Sequence, residues 1–166
     1  MMLRVPDVDP SFVTGLLRDE ADRAALMKND VFISYASSDI GAAEAIVTAL
    51  EGAGLRCFMA PRDIPAGIDR ATAIVDAIFE TKLFLLLYSA HANQSQQLMR
   101  ELQLAQDRHI GIFPVRLDKS LAVSGIDLVM RRQSAFDAFP PLADHLSRLV
   151  EAIQARLGSG PRHHEG

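Results

Sequence analysis

The sequence predicts an α/β fold, a parallel sheet of about five strands in the order 2-1-3-4-5 with helices on both faces. Two observations carry that prediction. Short apolar runs alternate with stretches of helical period, the pattern of strands joined by crossover helices. Those runs are also apolar in consecutive residues rather than in every second one, as strands covered on both faces must be. Right-handed crossovers then favour the flavodoxin-like arrangement, in which the opening strand lies in the middle of the sheet.

Taken in order, residues 1–28 read as an N-terminal arm, partly helical. Pro6 and Pro10 make its start an extended lead, and Ser11 caps a helix with Phe12, Leu16 and Leu26 on its apolar side. The domain proper is expected over residues 29–157, with no internal repeat and no second domain. Its first strand is Val31-Phe32-Ile33, too short a run for a helix, which ends in the small polar residues Ser34 to Asp39. Ala43, Ile46, Val47 and Leu50 then share one helical face, and Gly52 and Gly54 stop that helix. Leu55 to Met59 is the second strand and leads into the loop Ala60 to Gly67, made rigid by its prolines. Ile68 to Glu80 returns to helical period through Ala71, Ile74, Val75 and Ile78. Leu83 to Tyr88 is a third strand, and Ser89 to Ser95 a polar loop. Gln96 to Asp107 is a third helix that turns Leu98, Leu102 and Ala105 to the core. Ile110 to Leu117 is a fourth strand, with Pro114 expected towards its end or at a bulge. Asp118 to Arg132 is weakly patterned, a loop with a short helical turn. Ser134 to Phe136 fits a short edge strand, and Pro141 to Leu157 a closing helix through Leu142, Leu146, Leu149 and Ile153. Residues 158–166, punctuated by glycine and proline, read as a mobile tail.

Composition narrows the function classes. A chain of 166 residues with 49% hydrophobic content can bury one sizeable core. A net charge of −4 without a basic cluster argues against nucleic acid as partner. The single Cys57 excludes an internal disulfide and fits a reducing compartment; its place in a strand suits a small buried hydrophobe. No signal peptide opens the chain, and Leu83 to Tyr88 is far shorter than a membrane span, so a soluble cytoplasmic protein with no membrane partner is expected. His91 and His109 lack ligand-type spacing and His163-His164 fall in the tail, so no metal site is expected. No GxGxxG or P-loop pattern supports a dehydrogenase or an NTPase.

In a sheet of this order ligands collect beyond the carboxyl ends of the strands, between strands one and three. The turn Ser37-Ser38-Asp39, the proline loop and the Ser89–Ser95 loop all fall there. A strand running through a serine-rich turn into a helix start presents free backbone N–H groups, a generic phosphate site. The competing reading is that Ser37, Ser38 or Asp39 merely caps the helix. Tyr35 suits stacking on a nucleotide base, although a tyrosine at a strand end is more often core.

Four motifs in order, DVFISYASSD, APRDIPAG, FLLLYS and the MREL of Met99 to Leu102, resemble a bacterial TIR (Toll/interleukin-1 receptor) domain over Asp30 to Leu157. The resemblance implies a flavodoxin-like fold and an NAD+ nucleosidase. Such an enzyme cleaves the nicotinamide–ribose bond to give nicotinamide and ADP-ribose or a cyclic isomer, often as an antiphage signal. NAD is then substrate, and no cofactor is implied. Carried over by position, the catalytic residue is Glu101, a carboxylate that can stabilise positive charge on the ribose. Ser37, Ser38, Asp39, Arg62 and Gln97 are the candidates for NAD contact. Arg62, Asp63, Ile64 and Pro65 match the loop through which relatives self-associate, the other reading of Arg62 and Asp63 being a local salt bridge. An effector that reads the nucleotide product is a further implied partner. One departure stands out: many active relatives carry tryptophan where this chain has Gln97, and the chain has no tryptophan. Gln97 leaves open a different product, weaker turnover or no activity, or a hydrogen bond to the ribose or to Glu101 one turn away. The resemblance equally allows a non-catalytic TIR–TIR adaptor or a host-mimicking effector acting by self-association. More distantly, a nucleoside-processing enzyme of related fold also sets a glutamate against a glycosidic bond.

Overall fold

Residues alternate across a strand, so a strand apolar at every position must be covered twice. The computed structural model of the chain, which describes residues 27–158, is built that way. Its strands are β1 (Asn29–Ser34), β2 (Cys57–Phe58), β3 (Thr81–Tyr88), β4 (Gly111–Arg116) and β5 (Phe136–Asp137). Its helices are α1 (Ile40–Gly52), α2 (Arg70–Phe79), α3 (Gln96–Asp107), α4 (Ser124–Gln133) and α5 (Leu146–Leu157). All strands pair in parallel, in the order β2-β1-β3-β4-β5. The expected arm with its Ser11 helix and the tail from residue 159 onwards lie outside the described residues. No helix among the described residues is long and apolar enough to cross a membrane.

The sheet separates two apolar layers. Val31, Ile33, Leu83, Leu85 and Leu87 pack against α1 and α5 through Ile46, Leu50, Leu149 and Ile153. Phe32, Phe84, Leu86 and Tyr88 point the other way, against Ile78 of α2, Leu98 and Leu102 of α3, and Ile126 and Val129 of α4. Phe32 is the centre of the second layer, with the rings of Phe58 and Phe84 stacked on either side at 5.5 Å.

Several elements differ from expectation for local reasons. Strand β2 is two residues rather than five: at one end the Arg56 N–H donates to the Asp30 carboxylate at 2.8 Å, and at the other the Met59 N–H donates to the Asp63 carboxylate at 2.9 Å. Helix α2 starts two residues late, where Asp69 caps it by accepting the Thr72 N–H at 3.1 Å. Its buried face is Ala73, Ile74, Ala77 and Ile78, turned from the expected Ala71 and Val75. Pro114 lies inside β4, opposite Leu86. The Leu117 N–H bonds Tyr88 in β3, so strand alternation turns the missing N–H of Pro114 towards β5, which begins only opposite Val115. The weakly patterned stretch holds most of a ten-residue helix, α4, which runs one residue beyond it to Gln133 and buries Ile126 and Val129. Strand β5, Phe136–Asp137, starts two residues and ends one residue after the expected edge strand. The closing helix opens with a tighter turn over Leu142–His145, where the Asp144 N–H bonds Pro141, and becomes α-helical at Leu146.

Candidate active site

Strand β1 ends at Ser34, which alternation puts on the same face as Phe32, under α3. Helix α3 is set by Ser95, whose hydroxyl accepts the Leu98 N–H at 3.1 Å, and it buries Leu98, Leu102 and Ala105. Glu101 belongs to the same stripe and is only 7% exposed. Ser34 donates its hydroxyl to Glu101 Oε1 at 2.7 Å, and Gln97 Nε2 donates to Oε2 at 3.0 Å. Burial pushes the Glu101 carboxyl above its ordinary pKa; the two hydrogen bonds and the positive charges of Arg70 and Arg100 work against that rise without cancelling it.

A cavity of about 270 Å³ opens beside this carboxylate. It lies at the carboxyl end of β1, and the starts of α1, α2 and α3 face it through Ser37 and Ile40, Arg70, and Ser95 and Gln97. Phe32, Tyr35 and the Ala60-Pro61 stretch line the rest. Tyr35 is half-buried and donates its hydroxyl to the Ala60 carbonyl, which ties the proline loop to β1; burial raises its pKa, so the phenol stays protonated. The cavity therefore combines one buried carboxylate, several hydroxyl and amide groups and one guanidinium.

A somewhat larger hollow, about 330 Å³, lies against α4 and β5. Its charges are already matched: Arg131 pairs with Asp127 at 2.7 Å and Arg116 with Asp137 at 3.2 Å. It holds no buried carboxylate, so the smaller cavity is the candidate for chemistry.

The candidates read from the sequence divide among three places. Glu101, Gln97 and Ser37 come together at the cavity. Ser38 and Asp39 sit in the short turn Ser37–Asp39 but do not line it, and the Asp39 carboxylate accepts the Ser89 hydroxyl. Arg62 also stands apart, its guanidinium donating to Glu51 at 2.8 Å and to Asp63 at 2.7 Å. Ile64 is half-buried against the α2–α4 layer, while Pro65 is exposed. Cys57 is buried and its thiol pushed up to about 12, too high for a nucleophile at neutral pH. Among the described residues, no three His, Cys, Asp or Glu side chains are grouped to hold a metal ion.

Two site residues escaped the sequence reading, Ser34 and Arg70. Ser34 had a signal: it breaks an apolar run at a position facing the core. Arg70 had one too, since a cation in the first turn of a helix opposes the macrodipole.

The fold and sequence can be set beside known proteins. The architecture is similar to the TIR domain of the Toll-related receptor TRR-2 from Hydra magnipapillata, with a TM-score of 0.62 and 24% identity over 76% of this chain and 99% of that one. A metazoan TIR-STING receptor from C. gigas, in complex with 2′,3′-cGAMP, gives 0.62 and 27% identity over 76% of this chain and 40% of its own. The TIR domains of the activated Roq1 resistosome give 0.53 and 18% identity, over 80% of this chain and 86% of that one, a likeness of fold alone. No curated protein matches the sequence. A sequence profile of the TIR domain matches residues 31–150, the stretch that contains the sheet, Glu101 and its cavity, and the chain belongs to the TIR domain family.

Proposed function

We propose that this TIR domain is an NAD+ nucleosidase with Glu101 as its catalytic residue. One observation carries the reading: a buried carboxylate, held by Ser34 and Gln97, at the wall of a cavity beyond the carboxyl end of β1. A glutamate is seldom buried without function or an ion pair, and the donors on Glu101 are neutral groups.

In this mechanism the nicotinamide-ribose half of NAD enters the cavity with C1′ facing Glu101. As the C1′–N bond lengthens, positive charge grows on the ribose and the carboxylate stabilises it. The bonding electron pair goes to the pyridinium nitrogen, which leaves as neutral nicotinamide and needs no proton. Water then adds to C1′ and releases a proton, giving ADP-ribose; attack by an adenine nitrogen of the same molecule gives a cyclic isomer instead. Ser34 and Gln97 hold the carboxylate in place. A nucleotide product would act as a signal read by a separate effector, in keeping with antiphage defence. Self-association through the loop carrying Arg62, Asp63, Ile64 and Pro65 belongs to the same proposal, and light scattering against concentration tests it.

The deciding experiment incubates concentrated protein with NAD and follows nicotinamide by chromatography and mass. The parent is expected to release nicotinamide and Glu101→Ala to release none, with the second product's mass separating hydrolysis from cyclisation. An equally active Glu101→Ala variant would sink the assignment. One observation favours an adaptor that acts by self-association alone. Gln97 stands where many active relatives carry a tryptophan, and its amide is already engaged with Glu101. An inert parent that still assembles would favour that reading over the enzyme.

A further inference from the structure

We propose that Arg70 is the phosphate-binding residue of this cavity and makes the site select N-glycosides carrying a 5′-phosphate or diphosphate over bare nucleosides. The proposal rests on the nucleosidase reading for its chemistry, but the geometry behind it is independent. Arg70 lines the cavity while remaining solvent-exposed, so its guanidinium belongs to the rim. Among the described residues it forms no ion pair, unlike Arg56, Arg62, Arg116 and Arg131, each of which meets a carboxylate within 3.2 Å. The neighbouring Asp69 carboxylate is turned to Thr72, accepting its N–H at 3.1 Å and its hydroxyl at 3.2 Å. The arginine also stands at the first position of α2, where a cation faces the positive end of the helix. Helix stability does not account for it. An anion at the rim would.

Size says which anion. Pockets that enclose a whole small ligand hold about 300–1,000 Å³. This one, at about 270 Å³, has room for one nucleoside half of a dinucleotide, with the remainder outside. If C1′ of the ribose faces Glu101 on the inner wall, the 5′-oxygen leads outward and the first phosphate emerges at the rim. The charge of Arg70 is felt by both Glu101 and Tyr35, so it stands near both walls between which that chain must pass. A guanidinium fork matches two phosphate oxygens, which a nucleoside lacks.

The test compares NAD, nicotinamide mononucleotide and nicotinamide riboside as substrates of the full chain, for the parent, Arg70→Ala and Arg70→Lys. The loss of a charge-assisted bond predicts that Arg70→Ala lowers the preference for NAD over the riboside, as a ratio of kcat/KM, about ten- to a hundredfold. Most of that change is expected in KM, with partial recovery in Arg70→Lys. Inorganic pyrophosphate is expected to inhibit the parent and to lose that effect on Arg70→Ala. An unchanged ratio in a variant with parental circular dichroism overturns the proposal. Should the parent release no nicotinamide from any of the three, the nucleosidase reading fails and calorimetry decides for Arg70. ADP-ribose and pyrophosphate binding that Arg70→Ala abolishes sustains it; absence of binding to the parent, or binding indifferent to the variant, overturns it.

Discussion

Glu101 has exchanged water for two neutral donors, and for a carboxylate that exchange is incomplete. Its proton affinity is raised in the folded state, with burial the dominant cause. The sign of the consequence follows from linkage. Between the unfolded carboxyl pKa, about 4.3, and the higher folded value, the native state holds a proton that the unfolded chain has released. The contribution of Glu101 to stability therefore falls as pH rises through that window and is flat above it. Glu101→Gln cannot titrate, so its melting temperature relative to the parent is expected to climb across the same window; a pH-independent difference would contradict the raised pKa. Nicotinamide release should rise over that window as well, since only the ionised form stabilises a cationic ribose. The position of Glu101 was legible through the TIR resemblance, but its burial was not. Set at the border of an amphipathic helix, it reads as solvated, although Leu98, Glu101, Leu102 and Ala105 follow the i, i+3, i+4, i+7 spacing of a buried stripe. The hydroxyl that meets Glu101, that of Ser34 at the end of β1, is distant in sequence, and only the parallel order of the sheet brings the two together.

At the scale of elements, the loop between β2 and α2 shows why strand limits were harder to read than strand existence. The run from Leu55 to Met59, apolar but for Arg56, looks like a five-residue strand, yet Asp30 takes the Arg56 N–H and a side chain four residues on takes the Met59 N–H. Asp63 thus terminates β2 and shapes the loop that walls the cavity at Ala60-Pro61. Arg62 has a different role, bridging Glu51 on α1 and Asp63 with its guanidinium exposed. Their substitutions should separate accordingly. Asp63→Ala strands a buried donor and is expected to cost about 1–3 kcal/mol in denaturant unfolding. Arg62→Ala, which loses solvent-screened pairs, should cost under about 1 kcal/mol. Equal losses would mean that the loop is held by the ion pairs rather than by the cap. Helix α4 was hidden for another reason. Its period rests on two fully buried side chains among charges, and its place under β4 comes from the tertiary fold.

For the molecule as a whole, the order of the sheet was legible because parallel strands joined by right-handed crossovers leave few arrangements, and the one formed here gives β1 and β3 a neighbour on each side. That placement couples the two apolar layers. β1 sends Val31 and Ile33 into one layer and Phe32 into the other, so neither layer can open without exposing the back of the same strand. The chain has no tryptophan and two tyrosines, which report on the two layers separately: Tyr35 packs on the α1–α5 side, and Tyr88 is buried on the α2–α4 side. Tyr35→Phe leaves Tyr88 as the fluorophore, and Tyr88→Phe leaves Tyr35. In each variant the tyrosine fluorescence midpoint in denaturant is expected to coincide with that variant's own far-ultraviolet dichroism, as one cooperative unit requires. Phe32→Ala, at the floor of the cavity and between two stacked rings, should lower both midpoints together and cost about 3–5 kcal/mol of unfolding free energy. Midpoints that separate would show the layers unfolding independently. The cavity would then belong to the α2–α4 layer alone, with β1 a passive partition rather than the element that ties Ser34, Glu101 and the proline loop into one site.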